Sequence, residues 1–231
     1  MQAGAGCFSI PFDVPPYRLS GAVYGTLLNH RSALASLGDS ASRPPYDAAP
    51  DAPVLYIKPR NTLAASGSVV RIPAGTSELE VGACLGLVIG RTACRVSEPQ
   101  ALDYVAGYLI VADVSIPHSS YHRPAIRFKA RDGYCPLGPA VTARAAVANP
   151  DALTVRTYVD DVLVQTASTG DLIRPAARLL TDVTEFMTLA PGDVLALGAA
   201  APAPRVRSGR TIRIEIDGLG NLRIPFMEAA A

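Results

Sequence analysis

Three groups of side chains in this sequence could do chemistry, and their spacing limits what each could do. His118 and His122 lie four residues apart, shortly after Asp113. On a helix that spacing would set both imidazoles on one face, and with the carboxylate they would suit a transition metal such as zinc, nickel or cobalt. Pro117 and the run Ser119-Ser120-Tyr121 argue against a helix there. Glu78 and Glu80 are spaced Glu-x-Glu at the head of a long apolar run. Lys129 brings a compact ammonium with three donors. Lys58, Arg60 and Arg123 could supplement it, or could pair with acids at the surface.

Such local charges matter because the chain has no strong overall field. Its 21 Lys plus Arg against 20 Asp plus Glu leave a net charge of +1, too little to recruit nucleic acid or an anionic membrane. Any anionic ligand must be held by neighbouring side chains. The four cysteines, Cys7, Cys84, Cys94 and Cys135, form no Cys-x-x-Cys pair, which argues against a zinc knuckle or a thioredoxin-like motif and suits reduced thiols. No basic residue precedes Arg18, no apolar segment of leader type follows the first residue, and no apolar run nears the roughly 20 residues that span a bilayer. A cytoplasmic protein is expected.

The elements that must position these groups are short strands. With 231 residues, 49% of them hydrophobic, a single large domain over 18–231 is expected after a flexible tail over 1–17. Strands are predicted over 22–28, 54–58, 69–72, 80–89 and 107–114; the fourth is apolar throughout, as a strand buried on both faces would be. The polar, proline-bearing stretch 38–53 is long enough for a lid. Ser97 and Gln100 resemble a capping box opening a short helix over 98–104. Asp160-Asp161 should join strands 154–159 and 162–166 in a hairpin. One long helix is indicated by Ala176, Leu179, Leu180, Val183, Phe186 and Met187 at helical spacing, with Pro175 in its first turn. Strands over 194–197, 211–217 and 222–226 complete a β-rich α+β pattern.

Six phrases in order, between about residues 20 and 227, resemble the fumarylacetoacetate hydrolase family. They are Tyr56-Ile57-Lys58-Pro59-Arg60-Asn61-Thr62, the Leu-Val-Ile-Gly-Arg run ending at Arg91, Asp103 to Tyr108, Arg123 to Pro139, Asp171-Leu172-Ile173, and Glu185 to Asp193. Within the family, the phrases Asn29-His30-Arg31-Ser32 and Arg131-Asp132-Gly133-Tyr134-Cys135-Pro136 resemble the N-terminal half of the isomerase/decarboxylases of 4-hydroxyphenylacetate (homoprotocatechuate) degradation. The resemblance implies a mixed β-sandwich roll and chemistry on 2-oxo acids and their enols, with Mg²⁺ or Mn²⁺ stabilising an enolate.

Mapped residue by residue, that resemblance also shows what is missing. The family's metal-binding strand carries Glu-x-Glu where this chain has Gly82 and Cys84, and only Asp113 remains of the ligand set. Sliding the strand to use Glu78 and Glu80 would displace the Leu-Val-Ile-Gly-Arg anchor. Lys129 falls at the family's substrate-facing lysine. The lid histidine becomes Ala33, with His30 the nearest substitute, and the substrate-contacting threonine loop becomes Gly198-Ala199-Ala200. The expectation is therefore an isomerase/decarboxylase subunit that does not itself hold Mg²⁺ or Mn²⁺. It would act on a small 2-oxo or enol dicarboxylate, as a homo-oligomer or beside a Glu-x-Glu paralogue, with no nucleic-acid or membrane partner. A non-catalytic structural partner, or a hydrolase or decarboxylase of another 2-oxo acid, remain as alternatives.

Overall fold

Alternating side-chain faces on a curled sheet organise the molecule. The computed structural model describes residues 7–8, 22–118 and 125–229. Its strands are β1 (Cys7–Phe8), β2 (Val23–Leu27), β3 (Val54–Lys58), β4 (Leu63–Ala65), β5 (Val70–Ile72), β6 (Leu79–Ile89) and β7 (Val105–Ser115), followed by β8 (Cys135–Ala143), β9 (Thr154–Val159), β10 (Val162–Ser168), β11 (Val194–Ala196), β12 (Arg205–Val206), β13 (Thr211–Ile216) and β14 (Gly220–Glu228). The α-helices are α1 (Arg31–Ala35), α2 (Ile126–Lys129) and α3 (Ala176–Phe186).

Nine strands form one mixed sheet in the order β1-β8-β7-β6-β11-β2-β3, with β12 beside β6 and β4 beside β8. After β3 the chain makes a 3-10 turn, Arg60–Thr62, and β4 joins β8 in parallel, so the β3 end of the sheet curls back towards β8. A second sheet, β10-β9-β13-β14-β5, packs outside this roll. The architecture is the expected β-rich α+β roll.

The two faces of β6 explain its continuous apolar character. Val81, Ala83, Leu85, Leu87 and Ile89 join the outer core with Leu179, Leu180 and Val183 of α3 and with Ile212, Ile214 and Leu222 of the second sheet. Cys84 and Val88 point the other way, into the roll, against Val23, Leu109, Val111, Leu137 and Val194. Two distinct apolar layers thus hold one strand, each fully buried aliphatic side chain contributing about 1.5–3 kcal/mol.

Most expected elements are present, with local differences that have physical causes. The hairpin turn forms at Asp160 and Asp161, both at positive φ, 47° and 64°, as a tight two-residue turn requires. The capping box does not form: Glu98–Tyr104 is a 3-10 helix, and the Ser97 hydroxyl donates to the Gln100 side chain at 3.1 Å instead of capping a backbone N–H. Helix α3 buries Leu179, Leu180 and Val183 as its periodicity predicts, but Phe186 is 65% exposed because the helix ends there and Met187 is already extended. The stretch 38–53 contains a 3-10 turn, Gly38–Ser42. Of the tail over 1–17, only Cys7–Phe8 lies within the described residues, paired antiparallel with β8.

Candidate functional site

Pairing of β6 with β7 sets the floor of the site. Glu80 lies opposite Ser115, Gly82 opposite Asp113 and Cys84 opposite Val111, and strand alternation turns all six towards the interior of the roll. Gly82 has no room for a side chain as the backbone stands: a Cβ there would lie 2.9 Å from the Cβ of Ala199. Cys84 is a buried thiol, and burial, reinforced by the Asp113 carboxylate, pushes it far above the ordinary thiol range, so it stays protonated. Glu80 is held by Arg205 of β12 at 3.1 Å, and Arg205 also binds Glu78 at 2.8 Å. The Glu-x-Glu at the head of the strand is therefore tied to an arginine at the mouth of the roll.

Asp113 is clasped between two lysines from different parts of the chain. Lys129 of α2 donates to its Oδ2 at 2.5 Å. Lys58 of β3 sits 2.9 Å from Oδ1. The three protons of Lys58 are already directed at the carbonyls of Val114, Lys129 and Tyr134, at 2.6, 2.9 and 2.9 Å. Its contact with Oδ1 is thus charge against charge, and Oδ1 receives no hydrogen bond of good geometry among the described residues. Lys58 is only 1% exposed and Lys129 7%. Burial alone would raise the Asp113 pKa, but Lys129 and then Lys58 overcome it and hold the carboxyl well below the usual carboxylate range. For Lys58, burial prevails over the Asp113 charge and lowers its pKa.

This cluster faces a cavity of about 240 Å³ lined on its polar side by Glu80, Asp113, Ser115, His118 and Lys129. Its apolar side is Tyr56, Ala33 and the turn from Ala199 to Ala203. Ala33 and Ala199 thus line the cavity at the two positions where the family resemblance lacks its histidine and threonine. His30 does not line it. Its Nδ1 accepts from the Ser32 backbone at 3.2 Å as the cap of α1, and its ring borders a separate space of about 10 Å³ beside Ser168 and Thr169.

The remaining sequence candidates separate. His118 stacks on Phe128 at 5.2 Å with Nδ1 3.0 Å from the Ile116 carbonyl oxygen. His122 and Arg123 lie outside the described residues. Arg60 is exposed on the turn after β3. Tyr56, which sequence patterning did not single out, crosses over Gly25 on β2 and brings its ring 4.7 Å from Lys129 Nζ. The one trace of this in the sequence is a glycine in a strand facing an aromatic, a pairing visible only once the register is known.

Among the described residues no group of three or more His, Cys, Asp or Glu side chains is placed to hold a metal ion. Mg²⁺ or Mn²⁺ would need hard oxygen donors, yet position 82 has no side chain, position 84 offers sulfur and Asp113 is engaged by two ammonium groups. The donor set does not fit such an ion.

Known proteins carry the same architecture. The chain is 38% identical over 210 residues to the 4-hydroxyphenylacetate degradation bifunctional isomerase/decarboxylase of Escherichia coli, covering 91% of this chain and 48% of that protein. It therefore spans about half the length of the curated relatives it matches first. The structure of 5-carboxymethyl-2-hydroxymuconate delta-isomerase from Mycobacterium smegmatis superposes with a TM-score of 0.79 at 27% identity, covering 92% of this chain and 81% of that one. Maleylpyruvate hydrolase from Sphingobium sp. SYK-6, solved with manganese(II) and pyruvate, superposes with a TM-score of 0.75 at 27% identity, covering 90% of this chain and 71% of that one. The sequence profile of the fumarylacetoacetate (FAA) hydrolase C-terminal family matches residues 22–227, and the chain belongs to that family.

Proposed function

We propose that this chain is an isomerase/decarboxylase subunit of 4-hydroxyphenylacetate degradation, corresponding to a half that does not hold the divalent metal. Decarboxylation of an oxopentene-tricarboxylate would fall to a partner chain bearing Glu-x-Glu. This chain would supply an interface and a metal-free pocket in which a hydroxyhepta-dienedioate enol becomes its 2-oxo tautomer. The observation that carries this reading is Asp113 clasped by Lys58 and Lys129 opposite Gly82, with Lys129 lining the cavity. The Lys129 ammonium in the cavity can take a carboxylate or enolate, and tautomerisation then needs only a positioned acid and base, worth about 10²–10⁴-fold.

The test is an isomerase assay of a Glu-x-Glu partner with wild-type chain and with Lys129→Ala. The expected result is a faster tautomerisation with wild type that the variant loses. Equal rates in both would leave only a structural role.

A second reading, a hydrolase or decarboxylase of another 2-oxo acid, draws on the pyruvate-bound relative. It predicts that the chain alone, given Mg²⁺, cleaves acylpyruvates or oxaloacetate at enzyme-like rates, a result that would overturn the first.

A further inference from the structure

We infer that Ser32 is a positioning residue for the ligand: its hydroxyl, set by His30, ties helix α1 to the turn over 199–203 and so holds two walls of the cavity around the anion that Lys129 receives. This rests on the cavity reading above and says what keeps that cavity in shape. Ala33 and Ser36 line it from the α1 side, and Ala199 to Ala203 from the turn. The Ser32 hydroxyl oxygen accepts from the Ala201 backbone N–H at 2.9 Å, across 169 residues of chain. Among the described residues it is the one hydrogen bond that joins α1 to that turn.

Packing does not hold α1 in place. Its five residues bury no side chain, and a helix that short is marginal without tertiary support. Polar contacts at its N-terminus take over, and they run in series. Nδ1 of His30 accepts from the Ser32 backbone N–H at 3.2 Å, which makes it the unprotonated ring nitrogen. The Ser32 hydroxyl, 2.8 Å away, then donates to Nδ1 and turns its lone pairs to Ala201. A side-chain cap of this kind is worth about 0.5–2 kcal/mol.

A proton on Nδ1 would end both acceptances at once. The charge that faces the ring is Asp171, on the 3-10 turn Thr169–Asp171, and the Ser168 carbonyl lies towards it from β10. Strands β6 and β9 and the segment 197–200 bring only apolar groups, while Arg31 on α1 is exposed. Burial lowers the imidazole below its ordinary value against the opposing pull of Asp171 and Ser168. The neutral ring, and the tie with it, prevails at pH 7 and gives way in acid.

Calorimetric titration of oxalate, a planar enolate mimic, into the full chain tests this at about pH 7.5 and about pH 5, either side of the ordinary imidazole value of about 6.5. At the higher pH, Ser32→Ala is expected to bind about tenfold more weakly than wild type, and Ser32→Thr, which keeps the hydroxyl, within about twofold. Wild type should lose affinity about threefold or more on acidification, whereas His30→Asn, whose amide oxygen caps α1 without titrating, should not. A charge gained by His118, which also lines the cavity, would strengthen anion binding and is common to both proteins, so the difference between them belongs to His30. Wild-type affinity in Ser32→Ala, or the same acid response in wild type and His30→Asn, overturns the inference alone. Oxalate binding that is absent from wild type, or unchanged in Lys129→Met, overturns the cavity reading and this inference with it.

Discussion

Gly82 and Asp113 face each other across the β6–β7 ladder, and the space a side chain at 82 would enter is occupied by the methyl group of Ala199. The site has thus closed around the missing carboxylate. The double substitution Gly82→Glu, Cys84→Glu is expected to fail to create a metal site. It should overpack the inner face of β6, costing about 1–3 kcal/mol or more, and show no Mn²⁺ binding by calorimetry. Micromolar Mn²⁺ binding by that variant would show that the Ala199 turn yields freely.

Asp113 should matter for stability as the counter-charge of two buried ammonium groups. Asp113→Asn leaves both uncompensated, a change expected to cost about 3–5 kcal/mol in denaturant unfolding at pH 7. Because the folded-state pKa of Asp113 lies below its unfolded value of about 3.9, its contribution is fully present above that value and lost as pH falls through the folded pKa. The stability gap between wild type and variant should therefore be constant above about pH 5 and narrow towards pH 3.

Lys58 and Lys129 should separate in their effects. Lys58→Met strands the carbonyls of Val114, Lys129 and Tyr134, each unsatisfied acceptor costing about 1–3 kcal/mol, so it should unfold far more readily than wild type. Lys129→Met removes one partner of Asp113 and the ammonium that lines the cavity, so its main effect should be on oxalate affinity. Equal loss of stability with unchanged oxalate binding in both would remove Lys129 from the site.

Strand and helix placement was legible from periodicity, since β6 and α3 carry their apolar patterns in consecutive residues. The register that sets Asp113 opposite position 82 was legible too, because the flanking phrases anchor it. Closure of the roll was not. Lys58 could equally have been a surface lysine by sequence, and only the curl of β3 towards β8 carries it beneath Asp113. Tyr56 escaped notice for the same reason, since its partner Gly25 is 31 residues away and belongs to another strand. His30 shows the converse: a histidine next to the expected position serves as a helix cap.

Gly25 is expected to be intolerant of substitution. Gly25→Ala would drive a methyl into the Tyr56 ring, and a loss of about 1–3 kcal/mol should appear in thermal melts. Tyr56→Ala should relieve it, so the double variant would be less destabilised than the sum of the two single changes, a coupling that a double-mutant cycle measures.

The central claim is that the Lys129 ammonium, in place of a divalent cation, receives an anionic ligand in this family member. Calorimetric titration of oxalate into metal-stripped chain tests it most directly, once in EDTA and once with excess Mn²⁺. The account predicts binding of similar affinity in both, abolished by Lys129→Met. Binding that appears only with Mn²⁺ would contradict it.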